Sequence, residues 1–369
     1  MASMDHELER SFMMRALRLA EHGRGRTSPN PVVGAVVVRQ GRIVGEGWHR
    51  RLGAAHAELV ALKSAGVRAR GATMYVTLEP CAHTGRTPPC TDALIRAGIR
   101  RCVVALKDPH RIVNGRGLRI LRQAGIRVDV GLCGDQARRA LGGYWLAHTR
   151  SRPLVTWKVA ATLDGRIADR AGRSRWITGP AARARAHRMR ARADAVLIGA
   201  GTARADDPWL TARAGKVARQ PLRVVCDTHL RLPLGLRLFG ASLARGTVVA
   251  CGPDAPASRE AALTRRGVRV WRLPVARGGV SPGALARRLV RAGCHDVLLE
   301  AGAGLGTSWF RAGLVNRLAL FTAPKVLGAD GLAWCGPLGL ARLERACAGR
   351  IVEQRRDGED AYLLLELGG

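Results

Sequence analysis

The sequence predicts two successive α/β domains, and three observations lead there. The chain has 369 residues, and at roughly 100–200 residues per domain that length makes two domains or three. Strand and helix signals alternate over residues 1–150, which is the pattern of an α/β layer structure. The stretch His148-Thr-Arg-Ser-Arg-Pro153 is polar and ends in proline, and the alternation restarts behind it. The predicted division is therefore 1–148, a linker at 149–153, and 154–369.

In the first domain, Leu8, Phe12, Ala16 and Leu19 fall on one helical face. Residues 32–38 and 43–47 read as two strands joined by a turn at Gln40-Gly41. A helix starts near His56, because Ala57, Leu59, Val60, Ala61 and Leu62 continue an apolar, helix-compatible run. Residues 72–78 read as a strand and 91–97 as a helix stopped at Gly98. A strand at 102–106 follows, then a short helix at 118–124 stopped at Gly125, then extended chain over 128–131. In the second domain, strands are predicted at 154–161, 195–198, 222–226, 247–251, 268–271, 296–299, 318–323 and 362–367. Helices are predicted at 180–191 and 285–292.

Composition narrows the class. Apolar residues make up 47% and charged residues 24%, near the globular average, so a disordered chain, a collagen and a coiled-coil rod are excluded. No apolar run approaches the ~18 residues that cross a bilayer. The N-terminus starts charged and lacks an apolar signal core, so the expected location is cytoplasmic and no membrane partner is expected. Nine cysteines, an odd number, without a signal peptide argue against a disulfide framework.

The net charge of +33 invites a nucleic-acid reading. Only five of the 61 basic residues are lysine, a skew that points to a GC-rich coding bias. The excess is also spread, +14 over 1–150 and +19 over 151–369, with no basic tail. An anionic small substrate would still be attracted.

The chemistry begins at His56-Ala57-Glu58. Glu79-Pro80-Cys81 starts 21 positions after Glu58, and Cys90 follows. The two cysteines alone would read as core residues. With the histidine they make a three-ligand zinc set that leaves a fourth position for water, the catalytic rather than the closed structural arrangement. Zinc lowers the pKa of such a water to about 7. Glu58 is not needed as a ligand and is free to carry protons. H-x-E…P-C-x-x-C is the zinc-deaminase signature. The departure here is the spacing, since residues 82–89 separate Cys81 from Cys90 where the signature has two.

These segments resemble a known family. Thr27-Ser-Pro-Asn-Pro-Val-Val-Gly34, His56-Ala-Glu58, Tyr75-Val-Thr-Leu-Glu-Pro-Cys81 and Gly85-Arg-Thr-Pro-Pro-Cys90 are similar to the bifunctional deaminase/reductase of riboflavin biosynthesis. In that family the longer insert between the cysteines is normal. The likeness continues through Asp108-Pro109 and Gly115-Arg-Gly117, with His110-Arg111 where the family usually has Asn-Pro. Asn30 is a substrate-base contact by the resemblance. His49 is open between the mouth of the site and a surface strand end, and His83 lies in the cysteine insert.

The second half resembles the same family over nearly its whole length. Lys158-Val-Ala-Ala-Thr-Leu-Asp-Gly165, Ser174-Arg-Trp-Ile-Thr178, Gly199-Ala-Gly-Thr202, Asp206-Asp-Pro-Trp-Leu-Thr211, Glu300-Ala-Gly-Ala-Gly-Leu-Gly306 and Ala323-Pro-Lys-Val-Leu-Gly328 are matching blocks. The resemblance implies a cytidine-deaminase-like zinc domain followed by a dihydrofolate-reductase-like domain that uses NADPH. It implies dinucleotide contacts at Ala160, Trp176, Thr202, Asp206, Gly302, Ala303, Gly304, Leu305, Gly306, Thr307 and Ser308. It implies substrate contacts at Ser174, Arg190, Leu210, Arg213 and Glu300. Independently of the family, the strand at 296–299 runs through Gly302, Gly304 and Gly306 into a short helix, where backbone N–H groups can approach a phosphate. A guanidinium at Arg190 or Arg213 suits a phosphate because it binds bidentately.

The function implied is hydrolytic deamination of 2,5-diamino-6-(5-phosphoribosylamino)pyrimidin-4(3H)-one, then NADPH-dependent reduction of the ribosyl group to ribityl. The phosphorylated pyrimidine is the expected partner, and the sequence leaves the oligomeric state open between monomer and homo-oligomer. The rival is a nucleic-acid (tRNA) deaminase with an accessory domain. It leaves residues 154–369 unexplained, and aromatic residues for base stacking are few, at 4%.

Overall fold

The computed structural model of the chain describes residues 2–82, 88–213, 215, 217–277 and 279–368, with side chains from His6 onward. The chain forms two compact units, 1–151 and 152–369.

The first unit runs α1 (Ala2–Glu21), β1 (Gly34–Arg39), β2 (Arg42–Trp48), α2 (Ala57–Ala65), β3 (Thr73–Val76), α3 (Cys90–Arg96), β4 (Arg101–Val104), α4 (Arg116–Gln123), β5 (Arg127–Val130), α5 (Gly134–Leu141) and α6 (Gly143–Arg150). The strands form one sheet in the order β2-β1-β3-β4-β5. β1 is antiparallel to both neighbours, and β3, β4 and β5 are parallel. The predicted turn closes the β1–β2 hairpin with Gln40 and Gly41 both at positive φ, 50° and 70°, the geometry that matches strand twist.

Side chains alternate across a strand, and this sheet is covered on both faces. Ala35, Val37, Met74, Val76, Cys102 and Val104 pack with Ala57 and Ala61 of α2, Leu94 of α3 and Leu121 of α4. Val36, Val38, Tyr75 and Val103 pack with Phe12, Met13, Ala16 and Leu17 of α1 and Ala137 of α5. Two covered faces explain why β1 reads as an unbroken valine-rich run. The apolar face of α1 starts a turn later than predicted: Leu8 is 46% exposed.

Two helices were not legible beforehand. Ala137, Leu141, Tyr144 and Ala147 bury one stripe of α5 and α6, a spacing that 132–147 does carry. The linker is also shorter than predicted, because α6 continues through Arg150. Ser151, at φ 50°, is a left-handed C-terminal cap, and Pro153 cannot resume a helix.

The second unit runs β6 (Leu154–Thr162), β7 (Arg166–Ala168), α7 (Pro180–Arg192), β8 (Ala195–Gly199), α8 (Ala200–Asp206), β9 (Leu222–Cys226), β10 (Thr247–Cys251), α9 (Ala257–Arg265), β11 (Arg269–Arg272), β12 (Val275–Ala276) and β13 (Gly279–Val280). It continues with α10 (Pro282–Arg291), β14 (Asp296–Leu299), α11 (Ala303–Arg311), β15 (Arg317–Ala323), β16 (Leu332–Ala333), β17 (Gly349–Asp357) and β18 (Asp360–Leu367). Nine strands make one sheet, in the order β11-β10-β9-β8-β14-β6-β15-β18-β17. It is parallel from β11 to β15, and β18 and β17 add antiparallel. β7 pairs with β16 and β12 with β13. One core holds Val155, Trp157, Leu197, Val297, Leu299 and Trp309, and a second holds Val196, Ile198, Val225, Val249 and Leu298.

The predicted glycine loop at 302–306 is corrected. Gly302 is the residue before α11, and Gly304 and Gly306 lie inside that helix. Packing explains the second of these. A Cβ on Gly306 would come 2.0 Å from the Trp157 ring, which is fully buried and donates through Nε1 to Ala301 O at 3.2 Å. A Cβ on Gly304 meets nothing within 4 Å. Gly306→Ala should therefore lower stability by about 1–3 kcal/mol through overpacking. Gly304→Ala should be neutral or raise it by about 0.5–1 kcal/mol, the helical advantage of alanine over glycine. Urea unfolding followed by tryptophan emission compares the two.

Candidate active sites

In the first unit, three chain segments end at one point. His56 precedes α2 in extended conformation, Cys90 is the first residue of α3, and Cys81 follows β3. His56 Nδ1 lies 3.2 Å from Cys90 Sγ and 3.5 Å from Cys81 Sγ. All three donor atoms fall within 4.8 Å of one another, and among the described residues no other group of three His, Cys, Asp or Glu does so. Such separations suit atoms sharing one ion at 2.0–2.3 Å, and an imidazole with two thiols is a zinc-type donor set. The Cys90 N–H points at Cys81 Sγ at 3.4 Å. A hydrogen bond from the Cys90 thiol, joined by those from His56 and the Cys90 N–H, holds the Cys81 thiol below its ordinary range despite burial.

Glu58, in the first turn of α2, is 3% exposed. Burial, and then the charge of Cys81, pushes its carboxyl up to about 6, a value suited to proton exchange near neutrality.

Asn30 and His49 adjoin this centre. The Asn30 amide Nδ2 donates to His49 Nε2 at 3.3 Å, and His49 Nδ1 lies 3.2 Å from Ala55 O. An amide nitrogen only donates and a carbonyl only accepts, so the imidazole proton sits on Nδ1. The His49 ring stands edge-on to His56 at 5.4 Å and is 2% exposed. That decides between the two readings of His49: it is inside, beside the donor set, and burial lowers its pKa. His83 lies outside the described residues.

In the second unit, β8, β14 and β6 are adjacent and parallel, so their carboxyl ends emerge along one edge. Gly199 ends β8, Glu300 follows β14, and Ala160 lies near the end of β6. α8 and α11 start at this edge, with Thr202 in the first turn of α8 and Asp206 at its last residue. Helix N-termini beside the open face at Gly304 fit an anionic dinucleotide.

The residues from 302 to 308 divide by position. Gly304 and Ser308 are exposed, and Gly302, Ala303 and Leu305 are half-buried. Gly306 is covered by Trp157. Thr307 is buried, and its hydroxyl accepts from Gly336 N at 2.8 Å. Leu210 places its side chain in the second core, which leaves only its main chain for a ligand. Trp176 is 64% exposed, under the Arg183 guanidinium at 4.5 Å, and its carbonyl accepts from Lys325 Nζ at 2.9 Å. Ser174 is half-buried.

Arg190 differs from expectation. Its Nε and Nη2 bind Glu300 Oε1 and Oε2 at 2.6 and 2.8 Å, and Nη1 reaches Thr211 O at 3.3 Å. Its bidentate face is thus engaged by a carboxylate. Arg213, the other arginine expected at the substrate, is exposed and lies 3.4 Å from His187 Nε2. Beside the ion pair, Lys158 is desolvated, which lowers its pKa, while the Glu300 charge opposes that shift. Asp164 accepts from the Thr162 hydroxyl at 2.6 Å, Leu327 N at 3.2 Å and Gly328 N at 2.6 Å. Two sequence blocks far apart in the chain therefore form one structure.

Among the described residues, no helix is long and apolar enough to cross a membrane. Residues 6–106 match the cytidine and deoxycytidylate deaminase zinc-binding region, and residues 153–362 match the RibD C-terminal domain. The riboflavin biosynthesis protein RibD of Aquifex aeolicus is 40% identical over 98% of this chain and 99% of its own. That of Escherichia coli is 41% identical over 96% and 98%. A solved structure of Acinetobacter baumannii RibD is 36% identical with a TM-score of 0.88, covering 99% of this chain and all of that one. The deaminase/reductase of Thermotoga maritima is 33% identical with a TM-score of 0.84 at the same coverage. With a zinc-type donor set in one unit, a parallel-sheet reductase domain in the other, and likeness over nearly the whole length, the chain belongs to the RibD family of bifunctional deaminase/reductase enzymes of riboflavin biosynthesis.

Proposed function

We propose that the N-terminal unit deaminates 2,5-diamino-6-(5-phosphoribosylamino)pyrimidin-4(3H)-one and that the C-terminal unit then reduces the ribosyl group to ribityl with NADPH. The observation that carries this reading is the convergence of His56, Cys81 and Cys90 beside the buried carboxyl of Glu58. The Thermotoga maritima relative bears both activities in its name, which supports the same substrate class here.

His56 Nδ1, Cys81 Sγ and Cys90 Sγ would hold zinc, which when bound supplies the Lewis acidity that activates water at neutral pH. Glu58 takes the proton from the water as its oxygen bonds to C2, and gives it to the departing amine, so that ammonia leaves. Asn30, oriented by His49, meets the ring. In the reductase, Gly302, Ala303, Gly304, Ser308, Thr202, Asp206, Ala160 and Trp176 surround the dinucleotide, with Leu305, Gly306 and Thr307 shaping the helix beneath it. Bound NADPH supplies the hydride. Arg213 holds the phosphate, and Ser174 and the main chain of Leu210 line the same substrate. Arg190 fixes Glu300, and Lys158 Nζ, half-buried beside Glu300, holds the proton that completes the reduction.

Incubating the pure protein with the diaminopyrimidinone phosphate, with and without NADPH, and identifying the products by mass tests the assignment. Without NADPH only the deaminated compound should form; failure to release ammonia would overturn it.

Three further outcomes follow from the same residues. Protein purified without added metal should carry about one equivalent of zinc, and a Cys81→Ser, Cys90→Ser double variant should carry almost none by elemental analysis. Glu58→Gln should keep zinc and lose deamination roughly 10²–10⁴-fold, while reduction of pre-deaminated substrate stays near wild type. Arg213→Ala should weaken the phosphorylated substrate by about 1.5–3 kcal/mol and leave NADPH nearly unchanged. Gly304→Val should do the reverse, since its side chain would project into the space a cofactor needs. Dissociation constants for both ligands in both variants decide it.

A further inference from the structure

A buried carboxylate that the reaction does not use stands behind the metal centre. Glu79, two residues before Cys81, is 4% exposed. Its hydrogen-bond partners among the described residues are backbone N–H groups. Oε2 accepts from Asp108 N at 3.2 Å and Gly115 N at 2.9 Å, and Oε1 accepts from Gly117 N at 2.9 Å and Leu118 N at 3.4 Å. Gly115 is the residue before α4, and Gly117 and Leu118 lie in its first turn. The carboxylate therefore satisfies the free N–H groups and the positive end of that helix from another part of the chain.

A second contact joins the same two segments. A Cβ on Gly117 would lie 2.0 Å from Pro80 O, so the start of α4 presses directly on the peptide that leads into Cys81. The far end of the segment is fixed as well: Asp108 accepts from His110 N at 2.8 Å and from the Tyr144 hydroxyl at 3.0 Å. On its other side Cys81 O accepts from Thr91 N at 3.2 Å. The ligand thus sits between α3 in front and the 108–118 segment behind.

We propose that Glu79 is a positioning residue for the metal ligand Cys81, gripping the start of α4 so that the Cys81 thiol is placed before metal arrives. This rests on the zinc reading of His56, Cys81 and Cys90. Groups behind a ligand commonly decide metal affinity by fixing the ligand's orientation. Glutamine at 79 has one acceptor oxygen and turns an N–H₂ group toward two of the four donors, so one side of the grip becomes repulsive.

The test is the rate at which zinc-loaded protein gives up its metal to excess chromophoric chelator, below every unfolding transition. Glu79→Gln should release zinc roughly 10–100-fold faster than wild type, and the visible bands of the cobalt-loaded form should shift. Gly117→Ala, whose Cβ would meet Pro80 O at 2.0 Å and Glu79 Oε1 at 3.3 Å, disturbs the same grip from the helix side and should do the same. Leu121→Ala, in the fully buried core of α4, should lower Tm yet release zinc at the wild-type rate. If Glu79→Gln releases zinc at the wild-type rate, or Leu121→Ala speeds release equally at a matched Tm, Glu79 is only a fold anchor and the proposal is overturned. If wild type retains no zinc, the zinc reading itself fails and takes the proposal with it.

Discussion

Close contact at a glycine between a helix and the strand beneath it decides where each site stands. A Cβ on Gly45 would come 2.4 Å from Ala61 O, and one on Gly47 2.4 Å from Ala57 O. Two glycines in β2 thus let α2 lie directly on the strand, which fixes the height and direction of the helix start that carries His56 and Glu58. The second unit uses a glycine on the helix against a side chain instead: Gly306 seats α11 on the Trp157 ring of β6. His56, Glu58 and Cys90 sit at helix N-termini, and in the second unit Gly302 stands at the start of α11. There the unpaired N–H groups and the dipole favour negative charge, whether a thiolate, a carboxylate or a ligand phosphate.

The two sites handle buried charge in opposite ways. Around His56 one buried group, Glu58, is left close to a change of protonation. Desolvation, and then the charge of Cys81, pushes the Glu58 carboxyl up to about 6 against the opposing pull of His56. Around Glu300 the charges are locked. Arg190 grips both carboxylate oxygens, and breaking such a buried pair by removing one partner typically costs 3–5 kcal/mol. A group that exchanges protons needs the first arrangement, and a group that only fixes geometry needs the second.

What could be read beforehand follows from the range of the interactions. Strands 222–226, 247–251 and 296–299 coincide with β9, β10 and β14, because continuous apolar runs between turn residues mark buried parallel strands. The donor set was legible because His-x-Glu and Glu-Pro-Cys are local patterns with local chemistry. The role of Arg190 was not. Its partner lies 110 positions away, and one arginine among 56 carries no mark of which carboxylate it meets. Leu210 and Thr307 have ordinary residue types for a ligand wall, and only tertiary packing turns them inward. The start of α11 was misplaced because Gly304 and Gly306 read as loop by propensity, while contact with Trp157 overrides propensity at Gly306.

The same long-range view explains the arginine excess without nucleic acid. Many arginines tie distant backbone carbonyls together. Arg24 reaches Ala140 O at 2.6 Å, Arg68 reaches Val44 O at 3.1 Å, and Arg259 reaches both Leu230 O and Leu232 O. Arg223, 5% exposed, binds Thr247 Oγ1 and Leu243 O, and among the described residues it pairs with no carboxylate. Others close ion pairs across elements, as Arg185 does with Asp357 and Glu353, and Arg101 with Glu9 and Asp129. A planar fork of five donors can bridge two or three acceptors at once, which a lysine ammonium on a flexible stem does poorly. Residues engaged in this way are held by the fold, with their donors already committed to protein acceptors. A high positive charge and a small-molecule enzyme are therefore compatible, because much of the charge serves to tie the fold together.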